Sequence, residues 1–375
     1  MTRSSSSSSS SPRLVVPPPE QQQQQAQDGD DDAIEEEDNH CDAFTELEHT
    51  NWQRGVEAYN KGFGPLTSQA VPTLLDRAGF LSSSSSSKKK KKHNRHDHPG
   101  GDDDACRLLD VACGPGQVID AAISKAAQSS VTTTTGAGGA NIAGGCHCHY
   151  TALDFSTNFL TLAQQTLASK HPHTQVTFVE GDAQDLSSVL LKGSGESNDD
   201  DDTSLLFDSI TCNFGILHLA SPESFLSESY KVLKPGGRLA FSAWAAPPTT
   251  EAFDLILNTV REVGNPNVPL PDGPAFFRFA NPPTIVQSLE AAGFVNIDVT
   301  TVDSMEWTGV ESSETLYEIL LEGTARTREL LKGQTKEETQ AIKEELKRRF
   351  DQRVSSNEGR RLLRMPAVVS SGQKP

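Results

Sequence analysis

Asp110, Gly114, Gly116 and Asp154 have the types and spacing that most directly suggest chemistry. In "LLDVACGPGQVID", Leu108 to Asp120, an apolar run with one acid meets two glycines one residue apart, after which an apolar-patterned segment resumes. Glycine has no Cβ, so it takes unusual dihedrals and lets a ligand come close to the backbone. A buried strand, a tight turn and a helix start read this way, and open α/β sheets bind ligands at that strand edge. Read alone, the turn is either a plain glycine turn or one side of a ligand site.

As a dinucleotide fingerprint it is incomplete, because the third glycine would fall at Ile119. Asp110 also sits badly beside phosphates and suits a cationic ligand. Asp154, ending the next strand in "YTALDFSTNFL", can accept from both hydroxyls of a ribose. The usual interval from the glycine turn is about 20 residues. Here Gly116 and Asp154 are 38 apart, and the low-complexity run "SSVTTTTGAGGANIAGG" at 129–145 supplies the excess. In "VEGDAQDL", Asp182 is placed to accept from an adenine amino group and the Ala183 N–H to face a ring nitrogen, although an Asp in a turn is commonly structural. A fourth segment, "FDSITCNFGILHL", ends its strand at Asn213 and then sets Phe214 and His218 near the same edge.

The elements that must position these residues alternate. Strands are expected at 107–112, 149–154, 175–181, within 205–217, and at 238–244, separated by helices at 117–127, 156–170 and 221–237. Ser156 is a candidate N-cap for the second helix, with Leu160, Ala163 and Leu167 on one face. Such alternation implies a parallel sheet with right-handed crossovers. Further helices are expected at 251–264, 282–294, about 312–332 and about 335–352, the last with a capping box at Thr335 and Glu338. Strands at 295–302 and within 363–372 complete the pattern.

Together these motifs, with the helix–turn–strand unit "KVLKPGGRLAFSAW" at 231–244, resemble the class I S-adenosylmethionine-dependent methyltransferases in order, spacing and residue type over 107–244. The flanks "WQRGVEAYNKGFGPLTSQAVPTLLDRAGF" and "GPAFFRFANPPTIVQSLEAAGF", and the ending "RMPAVVSSGQKP", are similar to the small-molecule branch of ubiquinone/menaquinone C-methyltransferase type. The chain departs from the commonest motif at Pro115, which stiffens the middle of the glycine turn. The resemblance implies an α/β, Rossmann-like fold: a seven-stranded, mostly parallel sheet, helices on both faces, an antiparallel last strand and a helical cap inserted before it. The strands at 295–302 and about 363–370 would be the final hairpin and the 312–352 helices the cap. It implies S-adenosylmethionine as cofactor, with Asp110 and the backbone of Ala112, Cys113, Gly114 and Gly116 around its methionine and sulfonium side. Asp154 would hold the ribose, Phe155 would lie against the adenine, and Asp182 and Ala183 would read the adenine edge. Asn213 and Phe214 would close the pocket floor.

Methyl transfer from a sulfonium is an in-line displacement, so the protein mainly aligns the reactants and excludes water. A hydroxyl or an acidic carbon as acceptor needs a base. His218 is the candidate, the alternative being a histidine that caps or packs in a loop. Tyr59 and Phe63 are candidates to cover the methyl donor, since aromatic faces favour a cation. Trp52, Phe276, Phe277 and Phe279 are candidates to wall an apolar substrate pocket or to belong to the core.

Composition narrows the partners. A formal net charge of −18 over 375 residues argues against a nucleic-acid substrate, as do the absent Pro-Cys dipeptide and the sequence "NFGI" at the fourth strand. A small-molecule acceptor is expected, and the oligomeric state is left open. The cluster "CHCH" at 146–149 would split its ligands between two faces of a strand, so no metal site is expected. Six cysteines without framework spacing, no apolar leader and no long apolar run point to a cytoplasmic protein without a membrane span. The lysines at 88–92 suit a solvated loop insertion, since acids follow at once, the alternatives being a nuclear-localisation signal or a phosphate-binding patch. Residues 1–43 are Ser, Pro, Gln and acidic tracts expected to be disordered, and 44–375 is expected to be one domain with low-complexity insertions at about 82–104, 129–145 and 193–203. The competing functional reading is a non-catalytic protein of the same fold that regulates or scaffolds through its low-complexity arms.

Overall fold

The computed structural model describes residues 43–81, 105–131, 147–191, 206–356, 359 and 361–375. The expectations for 1–42, for the lysine run and for most of the three insertions lie outside the described residues.

Among the described residues there are nine strands: β1 (Cys106–Val111), β2 (Cys148–Asp154), β3 (Val176–Glu180), β4 (Phe207–Asn213), β5 (Leu233–Trp244), β6 (Val295–Val302), β7 (Glu306–Trp307), β8 (Leu363–Arg364) and β9 (Ala367–Gln373). Seven of them form one sheet in the order β3-β2-β1-β4-β5-β9-β6, while β7 and β8 pair separately. The β1–β2, β1–β4, β2–β3 and β4–β5 pairs are parallel, and β9 runs antiparallel to both neighbours. The fold class read from the sequence is therefore the observed one, including the reversed last strand.

Helix α1 covers residues 43–54. Before β1 follow α2 (Val56–Gly62), α3 (Gly64–Thr67) and α4 (Val71–Arg77), and between the strands lie α5 (Gln117–Val131), α6 (Thr157–Lys170), α7 (Leu186–Leu191) and α8 (Pro222–Val232). After β5 come α9 (Glu251–Val263), α10 (Pro282–Ala291), α11 (Ser313–Glu322), α12 (Arg326–Lys332) and α13 (Lys336–Ser356). Strand order reverses direction at β1, so right-handed crossovers carry α5 and α6 to one face of the sheet and α8 to the other. Accordingly α4, α5 and α6 pack in succession, and α7 and α10 pack on α8. Between them Leu108, Leu109, Ile210, Leu239 and Phe241 are wholly buried, as the near-continuous apolar strands require.

Local signals explain most boundaries. The Ser156 hydroxyl accepts from the Phe159 N–H (3.3 Å) to start α6. Thr335 and Glu338 make the reciprocal capping box of α13, at 2.8 and 3.1 Å. Beyond shifts of a few residues at other helix ends, three differences from the expectation have a local cause. Helix α8 stops at Val232 rather than near 237, and Lys234–Gly237 belong to the irregular start of β5. There Pro235 lacks an N–H, Gly236 takes φ +82°, and a Cβ at Gly237 would lie 3.0 Å from the Asp208 carbonyl. The expected helix 312–332 breaks into α11 and α12 at Gly323–Ala325. The expected last strand is cut at Pro366 into β8 and β9.

Candidate active site

The direction reversal between β1 and β4 opens a crevice at the carboxyl ends of the strands. A cleft of about 1010 Å³, counting its open mouth, lies there. Its walls come from the ends of β2, β4 and β5, the turn after β1, the first helices, and the break between α11 and α12.

The glycine turn is built from three left-handed residues: Ala112 at φ +52°, Gly114 at +52° and Gly116 at +84°. The two glycines do different work. A Cβ on Gly116 would press on Leu167 Cδ1 at 3.1 Å and Ala163 Cβ at 3.2 Å, so this glycine lets α6 pack against the turn. A Cβ on Gly114 would meet nothing within 4 Å, and Gly114 lines the cleft. Ala112 also lines it, and its Cβ leaves room for only a glycine at 215, where an added Cβ would come within 2.5 Å.

Asp154 ties this turn to β2. Its Oδ2 accepts from the Gly114 N–H and its Oδ1 from the Ser156 N–H, both at 2.9 Å. The residue is 4% exposed, and burial outweighs those bonds to push its carboxyl up to about 6. Asp110 is wholly buried behind the turn, with Oδ1 accepting from its register partner Thr211 (2.8 Å) and Oδ2 without a partner among the described residues. Burial raises it to about 8, against the Thr211 bond and with help from the Asp154 charge. Neither acid has an ion-pair partner among the described residues. Asp110 and Cys113 do not line the cleft, and burial raises the Cys113 thiol well above its ordinary value.

The other candidates converge on the cleft. Asp182 caps the turn after β3 by accepting from the Gln184 N–H at 2.8 Å, which leaves the buried Ala183 beside it on the wall. Phe155 lies edge-on to His49 at 5.2 Å. Asn213 accepts from its register partner Ser242 (2.7 Å) and donates to the Thr67 carbonyl (3.2 Å), which fixes the end of β4. Phe214, at φ +59°, lies over Trp244 with ring centroids 4.1 Å apart. Tyr59 and Phe63, which also line the cleft, stack at 5.9 Å, and the Phe63 ring lies 6.5 Å from Trp244. Burial raises the Tyr59 phenol to about 12, so it is a neutral wall rather than a base. Of the four aromatic wall candidates, Trp52 and Phe276 line the cleft, Phe277 does not, and Phe279 is core, packed on Phe241 at 5.5 Å.

Sequence reasoning missed Glu48, Arg326, Trp244 and Phe253. Glu48 on α1 is wholly buried and accepts from Trp52 Nε1 (2.9 Å), His218 Nδ1 (3.0 Å) and Arg326 Nε (3.1 Å). A buried acid one turn before a tryptophan on an apolar face was the available signal for Glu48, and the aromatic end of β5 was the signal for Trp244. Nothing local marks Arg326. Among the described residues no three His, Cys, Asp or Glu side chains group as a metal site. Cys146 of the "CHCH" cluster lies outside those residues. No described helix is long and apolar enough to cross a membrane.

A family model described as a methyltransferase domain matches residues 109–239. The chain is 31% identical over 166 residues to a ubiquinone/menaquinone biosynthesis C-methyltransferase of Rhodopseudomonas palustris, covering 43% of this chain and 53% of that one. It is 30% identical over 157 residues to a demethylmenaquinone methyltransferase of Clavibacter sepedonicus, covering 41% and 49%. The chain thus spans about half the length of these relatives. A structure of Haemonchus contortus phosphoethanolamine N-methyltransferase 2, in complex with phosphomonomethylethanolamine and S-adenosylhomocysteine, aligns with 86% of this chain and 57% of that one, at 18% identity and a TM-score of 0.40. Residues 109–239 thus match a methyltransferase domain, and over somewhat less than half of its length the chain is similar in sequence to ubiquinone/menaquinone C-methyltransferases.

Proposed function

We propose that this chain transfers a methyl group from S-adenosylmethionine to a small-molecule acceptor, within one domain spanning 44–375 that the low-complexity insertions interrupt. The observation that carries the reading is a pair of buried acids without ion-pair partners among the described residues, Asp110 and Asp154, around a Gly114 open to an aromatic-walled cleft. A buried carboxylate without a counter-charge is costly, and a cation brought by a ligand offsets that cost. The residues fit such a ligand. A side chain at Gly114 would enter the cleft, and the orphaned Asp110 Oδ2 lies behind the same turn.

In this reading the Ala112–Gly116 backbone and Asp110 take the amino-acid end of the cofactor. Asp154 takes the ribose, Phe155 the adenine face, and Asp182 with Ala183 the adenine edge. Bound S-adenosylmethionine supplies an electrophilic methyl on a sulfonium. The chain's own residues do the rest: Trp52, Tyr59, Phe63, Trp244 and Phe276 exclude water, and their faces favour the cation. Asn213 and Phe214 close the floor, and His218 stands on the acceptor side as base.

Turnover of methyl-labelled S-adenosylmethionine with a metabolite extract tests the proposal, and the product mass identifies the acceptor. Labelled small-molecule product is the expected result. Calorimetric binding of S-adenosylmethionine without any turnover would favour a regulatory or scaffolding protein instead. Absence of binding, or binding that Asp154→Ala leaves untouched, would remove the site assignment as well.

A further inference from the structure

Glu48 does more than hold α1 in place. Its carboxyl is wholly buried and receives three donors, Trp52 Nε1 and His218 Nδ1 on Oε2 and Arg326 Nε on Oε1. Burial would raise its pKa, but the charges and hydrogen bonds of His218 and Arg326 prevail and hold it below the ordinary carboxylate value. Glu48 is therefore an ionised carboxylate, which can only accept. An accepting oxygen 3.0 Å from Nδ1 obliges that nitrogen to carry the ring proton. In a neutral imidazole the other nitrogen, Nε2, then bears a lone pair. Among the described residues Nε2 has no hydrogen-bond partner. The ring lines the cleft with its side chain 19% exposed, edge-on to Trp52 at 4.8 Å and Phe276 at 5.9 Å.

We propose that Glu48 is a positioning residue that fixes His218 as the Nδ1–H tautomer and so presents a basic Nε2 to the acceptor, an inference that rests on the methyl-transfer reading above. Arg326 completes the device. It occupies Oε1 while donating to the carbonyls of Pro274 (2.7 Å) and Leu217 (3.3 Å), and its guanidinium lies 4.4 Å over Phe44. The carboxylate is thereby kept from turning Oε2 away from Nδ1. The acceptor class follows from the proton. Its attacking oxygen or carbon carries one, which passes to Nε2, while the electron pair that bound it stays on the acceptor. The imidazolium so formed is held against the Glu48 carboxylate. An amine or a thiolate acceptor has less need of such a base.

Nitrogen-15 NMR of the full chain labelled at histidine tests this, with His218 assigned by its absence in His218→Asn. The neutral ring is expected to show a pyrrole-type Nδ1 and a pyridine-type Nε2. Glu48→Gln is expected to lose that preference, because an amide both donates and accepts. A pyrrole-type Nε2 in the wild-type protein, or an unchanged pattern in Glu48→Gln, overturns the proposal. If Glu48→Gln does not fold, the wild-type spectrum decides alone. Calorimetry with S-adenosylhomocysteine beside it separates the two claims. A wild-type protein that fails to bind sinks the methyl-transfer reading whatever the tautomer, whereas binding with the wrong tautomer sinks only the role of Glu48.

Discussion

The two ends of the cleft each bury carboxylates, and they treat them in opposite ways. At the glycine turn, burial pushes Asp154 up to about 6 and Asp110 up to about 8, with only neutral N–H and hydroxyl donors in direct contact. At the other end, equally complete burial of Glu48 is overcome by His218 and Arg326, and its pKa falls. The difference teaches where each end finds its counter-charge. Glu48 is satisfied by the chain itself, so it serves geometry. The turn acids are satisfied only by neutral donors, so a cationic ligand has the most to gain there.

The sharpest way to break the comparison is to remove an acid from each end. Glu48→Ala strands three donors, one of them an arginine, and is expected to cost about 3–5 kcal/mol in urea unfolding, as for a broken buried ion pair. Asp110→Asn removes a buried acid that lacks a cation and is expected to be nearly neutral, or stabilising above pH 8. Equal losses from both would end the distinction.

Within the turn, Gly116→Val combines overpacking against α6, about 1–3 kcal/mol, with a left-handed residue costing about 1–2 kcal/mol. Its melting temperature is expected to fall well below that of Gly114→Ala, which bears only the backbone strain. Gly114→Ala is instead expected to lose S-adenosylhomocysteine binding in calorimetry. The reverse pattern would move the ligand contact to Gly116.

The pH dependence sharpens the comparison further. A raised folded pKa gives stability that is complete below the unfolded value and is lost as pH rises through the folded value. For Asp110 that window runs from its ordinary 3.8 to about 8. Asp154 is half titrated at about 6 and has lost most of its proton one unit higher, so between about pH 7 and 8 unfolding free energy should fall by up to about 1.4 kcal/mol per pH unit for the one proton left on Asp110. Asp110→Asn should flatten that slope, and so should saturating S-adenosylmethionine. Glu48 acts in the other direction: its contribution is present above its ordinary value and is lost on acidification through its lowered one. The smallest effect is expected at the start of α6, where Ser156→Ala removes the helix cap at a cost of about 1 kcal/mol in thermal unfolding.

Legibility follows the same division. The strand–turn–helix unit around Gly114 and Gly116 is contiguous, so its glycines and the strand acids could be read directly. Asp154 became legible once the 129–145 run was set aside. The structure places Asp154, Phe155, Asp182, Ala183, Asn213 and Phe214 on one cleft because parallel strands end together at one edge. The break at Gly323–Ala325 was missed because the apolar pattern continues across it, and the α8 end because Pro235 and the two following glycines start a strand as readily as they stop a helix.

The alternation of strands and helices and the glycine turn could be read from the sequence alone, since each rests on residues near one another in the chain, whereas the reversed last strand, which pairs 238–244 with 367–373, was expected only from the family resemblance. Only the tertiary structure decided that Glu48, His218, Phe276 and Arg326 meet, and that two acids of one turn are driven up while a third is drawn down. The physical reason is that ion pairing and exclusion of water depend on every element packed around a group, and those elements come from both ends of the chain.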